Sequence, residues 1–288
     1  MKKIKYLYIS LTVVLWGSTA AVAKLLLDNL DALQLLFYFS LFAFISLFLI
    51  VLFQKKIDIV KRYSLKDYFY FAFMGFIGIF IYHIMIFTGF TFSSVQEVFI
   101  VNYTWPIWIV IFAVIIFKEK INIKKAMAIM LGFIGVFVVI MKGDFLNLSF
   151  VNIEGDIFAL IGAISYGIFS VLGSRNHREV FTSIMFFYGF SLIYAFISTI
   201  IFSSIPMLSI HDLTGLIWIG TFAGGIAFVF WFLALSHGDT MEMSNIIFLT
   251  PCLSLIFIYF LIGEQILSYT ILGLFIIIIS IFLNNKFS

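Results

Sequence analysis

The sequence predicts an all-α integral membrane protein whose ten transmembrane helices form two inverted five-helix repeats. Three observations predict this fold: the composition, the length of the apolar runs, and the recurrence of distinctive residues at a fixed offset. Hydrophobic residues make up 64% of the 288 residues and charged residues only 11%, whereas soluble domains average roughly 45–50% and about 25%. This composition excludes a soluble enzyme, a soluble nucleic-acid binder and a disordered chain, because a soluble globule could not bury so much apolar surface.

The apolar runs are long enough for helices that cross a bilayer, which requires roughly 20 apolar residues per span. They are continuous rather than alternating, so they do not fit a β-barrel, and helices satisfy their own backbone hydrogen bonds in lipid. The predicted spans are 6–27, 33–53, 68–89, 95–117, 125–141, 155–174, 183–203, 213–235, 243–262 and 268–285.

The Lys and Arg residues predict the orientation of these spans. With the N-terminus in the cytoplasm, 15 of the 17 basic residues fall in cytoplasmic segments, and only Lys24 and Lys142 lie on the outer side. This asymmetry follows the positive-inside rule, so we expect a multi-pass protein of the cytoplasmic (inner) membrane with both termini in the cytoplasm. The first span, preceded by Lys2, Lys3 and Lys5, could also be a secretory signal peptide. We favour a first transmembrane helix, because removing this span would break the repeat described next.

Distinctive residues recur in the second half of the chain. Three residues that bracket or interrupt helix four recur 145 residues later around helix nine, namely Glu97, Pro106 and Glu119 as Glu242, Pro251 and Glu264. Trp16-Gly17 in helix one likewise matches Tyr166-Gly167 in helix six, 150 residues later. We therefore predict repeats at 1–142 and 153–288. Because five helices is an odd number, the second repeat would enter the membrane upside down, as in many secondary transporters.

Helix four carries polar and aromatic residues in the middle of its apolar run: Asn102, Tyr103, Trp105 and Pro106. An Asn in lipid is costly unless it finds a partner or faces a wet cavity, and Pro106 would free the backbone carbonyl of Asn102. Such a site suits a substrate with polar and apolar parts; the alternative is a packing kink with an interhelical Asn bond. Tyr103 and Trp105 lie about 200° apart on a regular helix, so both can line one cavity only if the helix is distorted at Pro106.

Several other residues inside the membrane are candidates for the site. Tyr82 and His83 lie within helix three, and His83 could carry protons or could only pack with a hydrogen bond. Glu97 and Glu242 begin helices four and nine, where the helix macrodipole favours carboxylates, so each is either a cap or a gating or coupling group. Further candidates are Trp16 and Tyr166 for substrate binding, Pro106 and Pro251 for gating, and Trp231 for the cavity lining or an interfacial anchor.

Catalytic and metal sites are not predicted. His, Cys, Asp and Glu are not grouped at ligand spacing, the single Cys252 excludes a disulfide framework, and no nucleotide-binding or hydrolase motif occurs in the required context. We therefore expect a protein that is not an enzyme, needs no cofactor and binds no nucleic acid. Its expected partners are a small-molecule substrate and the lipid bilayer, and we expect it to function as a monomer.

With ten predicted helices in inverted halves, Trp16-Gly17 and Glu119, the chain resembles the drug/metabolite transporter superfamily, EamA type. The segment Val101-Asn102-Tyr103-Thr104-Trp105-Pro106 resembles the Val-Asn-Tyr-x-Trp-Pro signature of the YddG-type aromatic amino-acid exporters. The resemblance continues with Leu235-Ser236-His237-Gly238, which is similar to that family's Leu-His-Gly before helix nine, and with Thr250-Pro251 within helix nine. The resemblance implies a central cavity between the halves, lined by helices one, three, four, six, eight and nine. It also implies that Tyr103 and Trp105 face this cavity, with Tyr82 and Tyr166 at similar places, although Tyr166 stands where a Trp is expected.

These features predict secondary transport of small organic metabolites. The favoured hypothesis is export of aromatic or neutral amino acids by alternating access. Aromatic side chains would bind the apolar part of the substrate, and Asn102 would bind the polar part. One alternative is a proton-coupled drug or nucleotide-sugar antiporter that uses His83 or Glu97, and another is a channel. An integral membrane enzyme or lipid-handling protein would need polar groups clustered at one membrane interface, whereas here they lie at mid-membrane.

Overall fold

The computed structural model describes residues 4–93, 98, 101–118, 123–140, 153–262 and 268–286, and these contain helices but no strands. Ten principal helices follow one another along the chain, and one extra helical turn, Ile57–Val60, lies between the second and the third. They are α1 (Ile4–Leu27), α2 (Ala32–Phe53), α3 (Leu65–Phe92), α4 (Trp105–Phe117), α5 (Ile123–Ile140), α6 (Ile153–Ser174), α7 (Val180–Phe202), α8 (Ile210–His237), α9 (Thr240–Ile246 and Leu249–Ile262) and α10 (Ser268–Lys286).

The predicted class, an all-α membrane protein, is confirmed. Seven helices are long and apolar enough to cross a bilayer: α1, α2, α3, α6, α7, α8 and α9. Shorter apolar stretches occur in the other three, at Trp105–Phe117, Ala126–Gly135 and Ile271–Leu283. Every predicted span overlaps one of the ten helices. The largest difference is in α4, which begins at Trp105 because a turn at 103–104 interrupts the helical residues before it.

Helices α3 and α8 match in length, cap and internal distortion. Each spans 28 residues. The N-cap serines, Ser64 and Ser209, each form a capping box with an aspartate three residues later, Asp67 or Asp212. Each helix also contains a π-helical stretch, at Gly75–Ile81 in α3 and Trp218–Ile226 in α8. Neither the caps nor the π-helical stretches are evident from the sequence, although both recur close to the 145-residue offset of the repeated residues.

The first helix of each predicted repeat packs into the other repeat. Helix α1 lies against α8 and α9, and α6 lies against α3 and α4. Two glycines allow these approaches: a Cβ on Gly17 would lie 3.0 Å from Leu253 Cβ of α9, and a Cβ on Gly167 would lie 2.6 Å from Trp108 Cβ of α4. The bodies that meet at the centre are therefore not the intact segments 1–142 and 153–288. They are bundle A (α3, α4 and α6) and bundle B (α1, α8 and α9).

Two pairs of helices complete the architecture, α2 with α7 and α5 with α10. Helices α2 and α7 run antiparallel. Gln34 at the start of α2 donates to the Ser204 carbonyl beyond the end of α7, and Lys56 beyond α2 pairs with Glu179 at the start of α7. Helices α5 and α10 are also antiparallel, because Gly132 faces Ser280 whereas the later Gly135 faces the earlier Gly273.

The two ends of the helical assembly differ in charge. Four ion pairs of the described residues lie at the end where α1, α3, α7 and α9 begin, which we call the basic end: Lys5–Glu242, Lys56–Glu179, Lys61–Asp58 and Arg178–Asp67. At the opposite end, α1 and α2 meet the second half of the chain through uncharged donors, such as Asn29 Nδ2 to Asp212 at 3.1 Å. In the predicted orientation, the basic end is the cytoplasmic one.

Candidate functional site

A central cavity of about 130 Å³ lies between bundle A and bundle B. Helices α1, α3, α4, α6, α8 and α9 all line it, and α2 adds Phe39. The cavity brings together seven of the sequence-predicted site residues: Trp16, Tyr82, His83, Asn102, Tyr103, Trp105 and Tyr166. Among the described residues, the remaining candidates Pro106, Pro251, Trp231 and Glu242 do not line it, and Glu97 lies outside the described part of the chain.

Tyr103 and Trp105 both line the cavity because the chain turns between them. The Thr104 N–H donates to the Val101 carbonyl at 3.1 Å, and the Ile107 N–H donates to the Thr104 carbonyl at 2.9 Å, so the bonding is tighter than in an α-helix. Pro106 then falls in the first turn of α4, where its missing N–H costs no intrahelical bond. Helix α9 has a corresponding turn at 247–248, shortly before Pro251. Both prolines thus lie beside the cavity at a break in the helix.

A cluster of aromatic rings joins the two bundles beneath the cavity. The Trp105 ring of bundle A lies 5.0 Å from that of Tyr166, 6.4 Å from that of Trp16 and 5.5 Å from that of Trp231, measured between ring centroids. Trp231 is fully buried, and its Nε1 donates to Ser170 Oγ at 3.3 Å. The interpretation of Trp231 as an interfacial anchor is therefore wrong, because its side chain is buried against Ser170 and Trp105 of bundle A.

The bundles are in contact on the basic side of this cluster. The Phe232 ring lies 5.1 Å from the Phe169 ring and occupies the space that a Cβ on Gly173 would need. On the other side the cavity continues along α1 to Leu27, the last residue of that helix, and along α3 to Phe90. The cavity therefore extends toward the opposite end and is closed toward the basic end.

Three polar atoms in the cavity wall have no hydrogen-bond partner among the described residues: Asn102 Oδ1, Tyr166 Oη and Thr250 Oγ1. Asn102 is 5% exposed, and its Nδ2 donates to the Tyr82 hydroxyl at the long distance of 3.5 Å. By contrast, Trp16 Nε1 is satisfied by the Ala223 carbonyl at 2.9 Å. Buried polar groups without partners cost about 1–3 kcal/mol each, so these three atoms are unsatisfied hydrogen-bonding groups in the cavity wall.

The described cavity wall carries no Lys, Arg, Asp or Glu side chain. Its histidine, His83, is bonded through Nδ1 to the Ile79 carbonyl oxygen at 2.8 Å. Aromatic rings surround the imidazole, with the Phe39 centroid at 4.6 Å and the Tyr82 centroid at 4.7 Å. The site is thus aromatic and uncharged, with a few polar atoms available.

Glu242 lies at the basic end, away from the cavity. It is 4% exposed and accepts hydrogen bonds from Lys5 Nζ at 2.6 Å and Tyr6 Oη at 2.7 Å. The helix cap is supplied by Asp239, which accepts from the Glu242 N–H. Both Lys5 and Glu242 belong to bundle B, so this ion pair ties α1 to α9 and does not bridge the two bundles.

Some residues of the cavity wall were not predicted from the sequence. Phe39, Phe228 and Ala223 line the cavity, yet the chain contains 39 Phe residues and many small apolar ones. Nothing in the local pattern marks these particular residues, because their role depends on which helices become neighbours.

Comparisons with known proteins agree with this architecture. The sequence model of the EamA-like transporter family matches residues 3–141 and again residues 153–286. A Bacillus subtilis (strain 168) protein described as an uncharacterized transporter, YoaV, is 25% identical over 99% of this chain and 97% of its own length. An uncharacterized transporter of Archaeoglobus fulgidus is 21% identical over 97% of this chain and 96% of its own. One crystal structure superposes with a TM-score of 0.83 at 17% identity, covering 99% of both chains, which shows a shared fold.

Proposed function

This chain belongs to the EamA-like transporter family, and from this premise we propose that it exports aromatic or neutral amino acids across the cytoplasmic membrane. The observation that carries the proposal is the set of unpartnered polar atoms in an aromatic cavity. Asn102 Oδ1 can accept a hydrogen bond from a substrate ammonium group, and the Tyr166 and Thr250 hydroxyls can donate to a carboxylate. The rings of Trp16 and Trp105 then supply apolar contact for the side chain.

The absence of charged side chains from the described wall favours a substrate without net charge. A net anion or cation would be buried there without a counter-charge, which is costly. The two charges of a zwitterionic amino acid compensate each other. Nucleotide sugars carry phosphates, which proteins usually bind with Arg or Lys, so this alternative receives less support from the site.

Alternating access would occur by rocking of bundle A against bundle B. The antiparallel α2–α7 and α5–α10 pairs, together with the matching caps of α3 and α8, support two repeats in inverted orientation. In such an arrangement, exchanging the conformations of the repeats gives inward-open and outward-open states. With the basic end in the cytoplasm, the present state is closed to the cytoplasm. Substrate entry would require Phe169 to separate from Phe232, and Trp231 from Ser170.

A counterflow assay in liposomes tests the proposed substrate class. Purified protein is reconstituted into liposomes loaded with unlabelled tyrosine, leucine or a nucleotide sugar, and the uptake of the labelled compound is followed. We expect saturable accumulation with the two amino acids, whereas protein-free liposomes should accumulate none of the three compounds. Accumulation of the nucleotide sugar without any amino-acid counterflow would contradict the proposal.

Cysteine labelling in intact cells tests the orientation and the present state. The chain has one cysteine, Cys252, which is buried, so a Cys252→Ser background allows single cysteines to be placed. We expect a membrane-impermeant maleimide to label Ala23→Cys in the cavity, and excess substrate to slow this labelling. Ser236→Cys, exposed at the basic end, should react only after the membrane is permeabilised. The reverse pattern would mean that the basic end faces outward.

A further inference from the structure

We propose that His83 selects substrates whose aromatic ring carries a hydrogen-bond donor, such as a phenol or an indole, over substrates with an unsubstituted phenyl ring. The inference rests on the proposed function and deepens it, because it assigns a specificity-determining residue within the cavity. It is carried by the hydrogen bonding of the imidazole, by the rings that surround it, and by its separation from Asn102.

The hydrogen bond at Nδ1 determines which atom of the imidazole is available to a ligand. The Ile79 carbonyl oxygen, 2.8 Å from Nδ1, can only accept, so Nδ1 carries the proton. In the neutral imidazole, Nε2 is then an acceptor. Among the described residues no carboxylate contacts the ring and nothing bonds to Nε2. A second proton would therefore create an unpaired charge in apolar surroundings, so Nε2 remains an acceptor without a partner.

The surroundings of His83 favour an aromatic ligand. The imidazole is flanked by rings from three helices: its centroid lies 4.6 Å from that of Phe39, 4.7 Å from that of Tyr82, 5.7 Å from that of Phe87 and 6.1 Å from that of Phe228. All four rings also line the cavity. An aromatic substrate ring entering this region gains apolar contact on several sides. The one polar atom that it meets on the histidine is Nε2.

His83 and Asn102 line the same cavity, and Tyr82 links them. Tyr82 contacts both residues, because its ring packs against His83 and its hydroxyl lies 3.5 Å from Asn102 Nδ2. The length of one tyrosine side chain plus these two contact distances is therefore the upper limit of the separation between His83 and Asn102. A substrate whose ammonium group binds Asn102 Oδ1 can thus place its ring donor at His83.

These features predict a preference that transport can measure. A phenol O–H or indole N–H would satisfy Nε2, whereas a phenyl ring would remove water from Nε2 and provide no hydrogen bond. Sites built around a hydrogen bond discriminate strongly against analogues that lack the donor. We expect tyrosine and tryptophan to compete at least about tenfold better than phenylalanine.

The test is competitive counterflow in liposomes with labelled phenylalanine and unlabelled tyrosine, tryptophan or phenylalanine as competitors. His83→Phe should remove the preference, so that tyrosine, tryptophan and phenylalanine compete within about twofold of one another in this variant, because the acceptor at Nε2 is gone while a ring still packs among the aromatic neighbours. The matched control is His237→Phe, which changes a histidine exposed at the basic end and should leave the preference intact.

The possible outcomes separate this inference from the proposed function. Equal competition by tyrosine and phenylalanine in the unmodified protein would overturn the role of His83 while leaving amino-acid transport established. A tenfold preference for tyrosine that persists in His83→Phe would also overturn it, because another group would then supply the acceptor. If the unmodified protein transports neither amino acid, the proposed function is overturned, and the role of His83 with it.

Discussion

Replacing Trp105 by alanine is expected to reduce export below detection while the protein still inserts into the membrane. The side chain is only 3% exposed, and its ring contacts Tyr166 of bundle A together with Trp16 and Trp231 of bundle B. Its removal would open a gap at the point where the two bundles meet. Truncating a buried Trp in this way costs about 3–5 kcal/mol in soluble cores. The same gap would remove an aromatic wall from the substrate site.

Amino-acid efflux from cells, normalised to the amount of protein in the membrane, measures this effect. The matched control is Trp108→Ala, which removes a tryptophan one turn further along α4 that does not line the cavity and stacks on Phe112. This control should retain most of its export. Unchanged efflux from cells that carry Trp105→Ala would show that export does not require the central aromatic cluster.

Replacing Asn102 by leucine, which has a similar volume, is expected to weaken the apparent affinity for amino acids by about 10–100-fold. Asn102 Oδ1 is buried without a partner in the cavity wall. In our proposal it accepts from the substrate ammonium group. Hydrogen bonds to charged groups contribute about 1.5–3 kcal/mol, and this range gives the expected loss. Half-saturation concentrations in counterflow measure it, and Asn29→Leu, an exposed position outside the cavity, serves as the control.

The same variant distinguishes binding from packing. If Asn102 only stabilised a helix contact, leucine in its place would change the thermal stability in detergent and leave the half-saturation concentration unaltered. The structure offers little for such a packing role, because within the described part of the chain the amide bonds to no side chain other than Tyr82, at the long distance of 3.5 Å. A change in stability without any change in affinity would therefore contradict the binding role.

Part of the site could be predicted because it lies within one local segment. The polar and aromatic residues of helix four stand out against an apolar background, and the cavity does contain Asn102, Tyr103 and Trp105. The spacing of Tyr103 and Trp105 also indicated that both could not face one cavity from a regular helix. The turn at 103–104 resolves this conflict, and the proline two residues later made a distortion there predictable.

Residues whose role depends on distant partners could not be interpreted in the same way. Trp231 is typical of a membrane interface by residue type, yet it is buried against Ser170, 61 residues away. Glu242 is typical of a helix cap by position, yet it pairs with Lys5, 237 residues away. Phe39 and Phe228 line the cavity, but they could not be distinguished from the other phenylalanines of a chain that contains 39.

The sequence by itself determined the class of protein and the number of helical segments, because the transfer of an apolar run into lipid depends only on the length and composition of that run. The tertiary structure alone decided which helices became neighbours. Gly17 allows α1 to pack against α9 of the second half, and Gly167 allows α6 to pack against α4 of the first half. Without side chains at these positions, the backbones can approach closely. This crossed packing of α1 and α6 forms bundles A and B. The cavity is the space between them, so its wall and its closed end follow from packing that no single segment encodes.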